Sequence, residues 1–223
     1  MRKIYIVSVI LIAGIALAGL LPGLISRLNE GPVIPESKNF RNGDLIFQSS
    51  NSPQALAVQL ATHSSYSHCG VLFEEEGKWW VFEAVQPVSR CPLNDWVRRG
   101  KEQRYVVKRL KNADKILTTT VLDSMRAMGV RWINKEYDPV FNWSDENLYC
   151  SELIWKLYNR TTGIQLGKLE KIRDMDLTSP QVQAVMYNRY GKEIPLNDTV
   201  ITPVSIFKSP LLKTVFANGK WLE

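Results

Sequence analysis

Hydrophobic and polar positions change their rhythm several times along these 223 residues. From Ile4 to Ile25 no charged residue occurs and Ile, Leu, Val, Ala and Gly dominate, so this run suits a membrane before it suits a core. Leu45-Ile46-Phe47-Gln48, after the turn signal Asn42-Gly43-Asp44, predicts a short strand. Ser52-Pro53, followed by apolar spacing from Ala55 to Ala61, predicts a short helix with serine as N-cap and proline in its first turn. The runs His68 to Phe73 and Trp79 to Val85 predict a β-hairpin, with Glu74 to Lys78 and its Gly77 as the loop. Pro92 to Arg99, closed by Gly100, predicts one or two helical turns, and Tyr105-Val106-Val107 another strand. Asp114 is expected to cap a helix over 115–128 that Gly129 stops. A polar stretch after Tyr137 leads to an amphipathic helix from about Cys150 to Asn159, with Gly163 beyond it. Ser179-Pro180 and Thr202-Pro203 mark two later helix starts, the first ended by Gly191. Helices and strands mix without repeats or regular alternation, which indicates an α+β domain with an antiparallel sheet.

Three parts follow from this pattern: a signal peptide or N-terminal membrane anchor over 1–25, a linker over 26–39 with Gly31-Pro32 and Pro35, and a domain over 40–223. Met1-Arg2-Lys3, the apolar run and Ala16-Leu17-Ala18 are the components of a secretory signal, with cleavage expected after Ala18. At 1.5 Å per residue the same run reaches about 33 Å as a helix, enough to cross a bilayer uncleaved and tie the protein to the membrane through residues 4–25. Both readings keep Arg2 and Lys3 in the cytoplasm and place the domain outside it, periplasmic or secreted, or anchored in the inner membrane. The net charge is +6, and without Arg2 and Lys3 it falls to +4, 26 basic residues against 22 acidic ones. The densest basic clusters, Arg98-Arg99-Gly100-Lys101 and Lys108-Arg109-Leu110-Lys111, are short and lack a nucleic-acid motif, so nucleic acid is not expected as a partner. They are compatible with attraction to anionic lipid or cell-wall polymer.

The candidate chemistry centres on one thiol. Cys69, Cys91 and Cys150 are an odd number, so at least one stays free even where Cys69 and Cys91 pair. In Leu148-Tyr149-Cys150-Ser151-Glu152-Leu153 the cysteine stands at a predicted helix start, where unpaired N–H groups and the helix dipole favour a thiolate and a developing oxyanion. A free thiol near pKa 8.5 is only about 3% ionised at pH 7, whereas one lowered to about 6 is roughly 90% ionised. Two histidines occur, His63 and His68. His68 opens a predicted strand whose hairpin partner carries Glu83, and an even-numbered loop puts both on one face, opposite or diagonal. Gly70 lies two residues along that face and leaves room beside the imidazole. A thiol, a base and a carboxylate orienting the base form a triad, which is defined by geometry and not by chain order. Each residue also has a plain structural reading: a buried small side chain, a strand-end histidine bonded to backbone, an exposed strand carboxylate. His63, His68, Cys69 and Cys91 match no standard zinc spacing, so no metal or other cofactor is expected. Cys69, on the opposite strand face from His68, reads as a core thiol.

The segments Asn42 to Gln48, Leu60 to His68, Val81 to Val85 and Tyr149 to Leu153, in that order, resemble the YiiX-like proteins of the permuted NlpC and papain-like superfamily, and the similarity runs from about residue 40 to 212. The resemblance implies an α+β fold, circularly permuted and papain-like (NlpC-type), in which a central antiparallel sheet packs against helices and the histidine strand precedes the cysteine helix. It also implies Cys150, His68 and Glu83 as catalytic residues of a cysteine hydrolase of the amidase or peptidase class. The expected substrate is a small amide or ester of the cell envelope, a lipid or a cell-wall peptide. Acyl transfer onto lipid-type substrates, and a catalytically silent module that binds lipid or cell-wall fragments, are the alternatives. Tyr66, Tyr137, Trp143 and Asp44 lie next to the matched motifs and are candidates for a substrate-binding rim; packing for Trp143 and turn bracing for Asp44 are the plainer roles.

Overall fold

The computed structural model describes residues 35–219, so the expected signal peptide or anchor and most of the expected linker lie outside the described residues. Strand β1 (Leu45–Gln48) is buried at every position and leads into helix α1 (Pro53–Thr62), where the Ser52 side chain accepts the Ala55 N–H at 3.1 Å. Strands β2 (His68–Glu75) and β3 (Lys78–Glu83) form the expected hairpin. Glu76 and Gly77 alone join them, both at positive φ, +53° and +75°, the turn whose twist matches that of the strands. The loop is thus two residues long, and the strands extend further into it than the apolar pattern reached.

The sheet gains members that the pattern did not announce. Strand β4 (Ser89–Pro92) pairs with β3, and helix α2 (Leu93–Arg99) follows it directly. Ser89-Arg90-Cys91-Pro92 has no apolar alternation because it is a short polar edge, the kind of edge that discourages pairing with other chains. Strand β5 (Val106–Leu110) is next, and the single helix expected over 115–128 is two: α3 (Ala113–Ile116) and α4 (Thr119–Trp132). Thr118, not Asp114, caps the long one by accepting the Val121 N–H at 3.4 Å. Gly129 does not stop α4 but lies inside it, where a Cβ would come within 3.2 Å of the Phe82 ring. Glycine there lets α4 lie close against β3.

Helix α5 (Cys150–Thr162) begins at the cysteine and ends at Gly163, whose φ is +75°, three residues beyond the expected end. Beyond it come β6 (Glu170–Lys171), α6 (Pro180–Tyr190), β7 (Thr199–Val200), α7 (Pro203–Phe207) and β8 (Leu212–Ala217). Ser179 and Thr202 cap α6 and α7 as expected. The six-stranded sheet runs β4-β3-β2-β1-β5-β8, every pair antiparallel, and β6 and β7 form a separate pair.

Helices α4 and α5 pack together, and α5 packs on β2 and β3, over a core of Leu45, Phe47, Val71, Phe82 and Val106. Helix α2 packs against β3 and β4. A second, smaller cluster joins α1 to α6 through Ala57, Val182 and Met186. The described residues from Glu36 onward form one compact unit, an α+β fold with a central antiparallel sheet as expected. Among the described residues no helix is long and apolar enough to cross a membrane.

Candidate active site

The hairpin register sets the first half of the site. Val71 pairs with Phe82, so Gly70 stands across from Glu83 and His68 lies one diagonal step away on the same face. The His68 Nε2 lies 2.5 Å from the Glu83 Oε2. Gly70 does not leave open room beside the imidazole; a Cβ there would fall 2.4 Å from Val81 Cγ1 and 3.0 Å from the Phe82 carbonyl oxygen. Its missing side chain lets β3 approach closely enough for Glu83 to reach His68.

Glu83 is fully buried, and its Oε2 accepts three donors: His68, the Trp96 indole N–H at 2.9 Å and an Arg99 N–H. Trp96 also lies face to face with the imidazole, ring centroids 5.9 Å apart. Both come from α2 and were absent from the expected site; Arg99 was read only as part of a basic surface cluster. Burial pushes the Glu83 carboxyl up, but the hydrogen bond and charge of His68, and then Arg99, bring it below its ordinary value. Glu83 is therefore an anion inside the protein.

The second half comes from α5. Cys150 is its first residue, 6% exposed, with Tyr149 immediately before it. The helix start is pinned on two sides: Ser151 donates to the Ile201 carbonyl at 2.7 Å, and the Ile201 N–H donates to the Tyr149 hydroxyl at 3.1 Å. The Tyr149 N–H is accepted by Glu152 at 3.4 Å. Cys150 is hydrogen-bonded to His68 and to Cys69. With Nε2 committed to Glu83, the His68 Nδ1 is the nitrogen left for the sulfur. Cys69, read as an ordinary core thiol, is buried in the core and also touches Cys150. All three cysteines are free, and the conditional Cys69 to Cys91 disulfide does not form; β3 separates their strands.

The electrostatics follow from these contacts. The hydrogen bond from the Cys69 thiol, together with the hydrogen bond and charge of His68, holds the Cys150 thiol well below its ordinary 9.0 although burial opposes this. Burial also pulls the imidazole down, yet its hydrogen bonds to Cys150 and Glu83 and the charges of both raise it to about 9. Thiolate and imidazolium are thus the paired forms at neutral pH. Burial, then the Cys150 charge, pushes Cys69 up, so that thiol stays protonated and donates.

Of the four rim candidates the structure brings one to the site. Tyr137 lies beside Cys150 and its hydroxyl accepts from the Gln54 side-chain N–H at 2.5 Å. Tyr66 is instead a core residue, 1% exposed, stacked on Phe207 with centroids 3.9 Å apart. Trp143 lies edge-on against Trp155 at 5.3 Å and beneath the Lys156 ammonium, covering the core away from the cleft. Asp44 braces its turn: it accepts the Arg41 N–H at 2.8 Å and holds Arg109 through two 2.7 Å hydrogen bonds. His63, at the end of α1, pairs with Asp176 at 3.2 Å. Among the described residues no three His, Cys, Asp or Glu side chains converge in a way that fits a metal ion.

Cys150 stands where two depressions meet. One is apolar, about 740 Å³ including its mouth, and lies between α1, α6 and the loop that carries Phe141. The other is an open polar cleft bounded by Asn51, Gln54, Gln86, Arg99 and His68. Tyr137, Gln54, Ser67 and Cys150 border both.

An antiparallel sheet whose histidine strand precedes a helix headed by cysteine defines a permuted papain-like protein. The chain belongs to the family described as permuted papain-like amidase enzymes, YaeF/YiiX, C92, whose model matches residues 39–216. It is 44% identical over 175 residues to the uncharacterized protein YiiX of Escherichia coli, an alignment covering 78% of this chain and 85% of that one. It is also similar, at 43% identity and a TM-score of 0.76, to the crystal structure of metalloprotein YiiX from Escherichia coli O157:H7, covering 80% of this chain and 97% of that one. The family places the chain in the papain-like amidase and peptidase class of cysteine hydrolases.

Proposed function

We propose that this protein hydrolyses a small amide or ester through Cys150, His68 and Glu83, outside the cytoplasm. The observation that carries this reading is the continuous hydrogen-bonded series from Glu83 through His68 to Cys150, at the head of a helix and at the edge of an open cleft. The Cys150 thiolate attacks the carbonyl carbon, forming a C–S bond and an oxyanion held by N–H groups at the start of α5. As the C–N or C–O bond breaks, the electron pair leaves with the amine or alcohol, and the imidazolium of His68 gives that group its proton. Water then attacks the thioester, His68 takes its proton, the C–S bond breaks and the thiolate returns. Glu83 stays ionised throughout and fixes the imidazole, with Trp96 and Arg99 fixing Glu83 in turn. The solved YiiX relative is described as a metalloprotein, but among the described residues of this chain no donor set fits a metal ion, and no step is routed through one. The location rests on the charged start and uncharged run of residues 1–25.

The test is hydrolysis of p-nitrophenyl acetate together with intact-protein mass. Cys150→Ala is expected to lose turnover by about a thousandfold or more and to show no acetyl adduct, while the wild type carries one acetyl group on Cys150. Undiminished turnover by Cys150→Ala overturns the proposal, and so does a wild-type adduct on another residue.

A further inference from the structure

Cys69 takes part in no bond that the proposed hydrolysis makes or breaks, yet it touches the nucleophile. It meets the Cys150 sulfur twice, through its thiol and through its backbone N–H. The elements that carry the two residues, β2 and α5, pack together, and both side chains belong to the same core. Both thiols are free. Their access differs. Cys150 borders both depressions, whereas Cys69 is 0% exposed and borders neither. A small polar oxidant entering the cleft therefore reaches one sulfur and not the other. It also meets the reactive form there, because thiolate character together with access decides which cysteine a peroxide oxidises. The third cysteine is set apart: burial pushes the Cys91 thiol up to about 11, and β3 lies between its strand and β2.

We propose that Cys150 and Cys69 form a peroxide-responsive pair, with Cys150 as the site of oxidation and Cys69 as the thiol that resolves it into a disulfide. The Cys150 sulfur attacks hydrogen peroxide: an S–O bond forms, the O–O bond breaks, and the leaving hydroxide takes the proton of the His68 imidazolium and departs as water. Cys150 is then a sulfenic acid. The Cys69 sulfur attacks the Cys150 sulfur, the S–S bond forms, the S–O bond breaks, and the hydroxide leaves as water with the Cys69 proton. The two thiols lose two electrons, and the peroxide is reduced to two waters. Burial, with the hydrogen bond and charge of the Cys150 thiolate, keeps Cys69 protonated before oxidation. A sulfenic acid carries no such charge, so Cys69 is released to act once its neighbour is oxidised.

The disulfide stops hydrolysis and keeps the nucleophile from sulfinic acid, a form that dithiothreitol does not reverse. Outside the cytoplasm, where the hydrolase reading puts the domain, glutathione and thioredoxin do not hold thiols reduced, so a resolving thiol inside the fold is the protection at hand. The inference rests on that reading for its consequence, the loss of turnover, and not for the cross-link itself.

The experiment treats the full chain with increasing amounts of hydrogen peroxide at neutral pH. It follows intact mass, peptide maps made without reductant, and hydrolysis of p-nitrophenyl acetate before and after dithiothreitol. The wild type is expected to lose about 2 Da, two hydrogens, to yield a peptide linking Cys69 to Cys150, and to lose turnover by roughly tenfold or more, regained with dithiothreitol. Cys69→Ala leaves the sulfenic acid unresolved, so it is expected to gain about 32 Da, two oxygens on Cys150, and to stay inactive after dithiothreitol. Cys91→Ala is expected to respond as the wild type does. A wild type that gains oxygen instead of losing hydrogen, a link made to Cys91, or a Cys69→Ala protein that recovers as fully as the wild type overturns the inference. The wild-type mass and peptide map decide the matter even where Cys69→Ala fails to fold. The link is read without turnover, which separates the two levels. If hydrolysis depends on Cys150 and no link forms, this inference alone is wrong; if the link forms in a protein that hydrolyses nothing, the hydrolase reading alone fails.

Discussion

At Cys150 the decisive quantity is where a single proton sits. The thiol is held well below 9.0 and His68 is raised to about 9, so the thiolate–imidazolium pair spans the neutral range. A step that needs imidazolium as its acid is fully supplied below that upper value and fails as pH rises through it. The rate on a fixed ester is therefore expected to be level across neutral pH and to fall above about 9. Glu83→Gln removes one of the charges that keep the proton on His68. This variant is expected to move the alkaline limb of the kcat/KM profile down by roughly one pH unit or more, besides lowering the plateau. An unmoved limb means that Glu83 does not govern the imidazole. Cys150 and His68 were legible as candidates because a helix start and a strand start are local features. The Cys69 thiol against Cys150 was not, because alternation along β2 says which way Cys69 points but not that α5 begins above it.

At the scale of elements, α5 carries the nucleophile on a helix start that is itself held by a buried acid. Glu152 accepts the Tyr149 N–H and lies 2.7 Å from the Lys156 ammonium, four residues on. Burial nevertheless pushes its carboxyl up to about 7, against the hydrogen bond and charge of Lys156. An acid raised from 4.5 to about 7 binds its proton more tightly in the folded state than in the unfolded one. Its share favours folding most below pH 4.5 and declines as pH rises through 7. Glu152→Gln is expected to remove that decline, worth about 3 kcal/mol, from the pH dependence of thermal unfolding between those limits. Lys156 keeps Asp145 at 2.9 Å in the variant, so no buried cation is stranded. A pH dependence identical to wild type rules this role out. The caps at Ser52, Ser179 and Thr202 were all readable, since a cap is decided within three or four residues. Gly129 was misread because only the Phe82 ring, 47 positions upstream, distinguishes a packing glycine from a stop.

For the molecule as a whole, the described chain is closed around the sheet by contacts that join distant segments. Asp44, in the turn before β1, receives Arg109 of β5, and Arg109 also donates to the Asn39 carbonyl at 2.7 Å. Both side chains are almost wholly buried, and neither borders the cleft. Asp44→Ala strands the guanidinium in the interior and is expected to cost about 3 kcal/mol of stability, read from denaturant unfolding. At a temperature where the variant is folded, kcat/KM is expected to match the wild type. A selective loss of activity returns Asp44 to the substrate rim.

What the sequence determined by itself was local or periodic: the apolar first segment, the two-residue periodicity of β2 and β3, the helix starts at Ser52, Ser179 and Thr202 though not the one expected at Asp114, and a cysteine at a helix start. These are settled by residues within a few positions of each other, where backbone sterics and hydrogen-bonding needs act directly. From the hairpin it followed that His68 and Glu83 share a face if the loop is even, and the two-residue loop Glu76-Gly77 of the structure met that condition. Only the tertiary structure decided that Trp96 and Arg99 hold Glu83, that Tyr66 is covered by Phe207, and that polar β4 and C-terminal β8 complete the sheet. It alone decided that an apolar and a polar depression meet at Cys150. Those outcomes depend on which surfaces meet when the chain closes, and burial, unlike a turn or a cap, is a property of the closed chain.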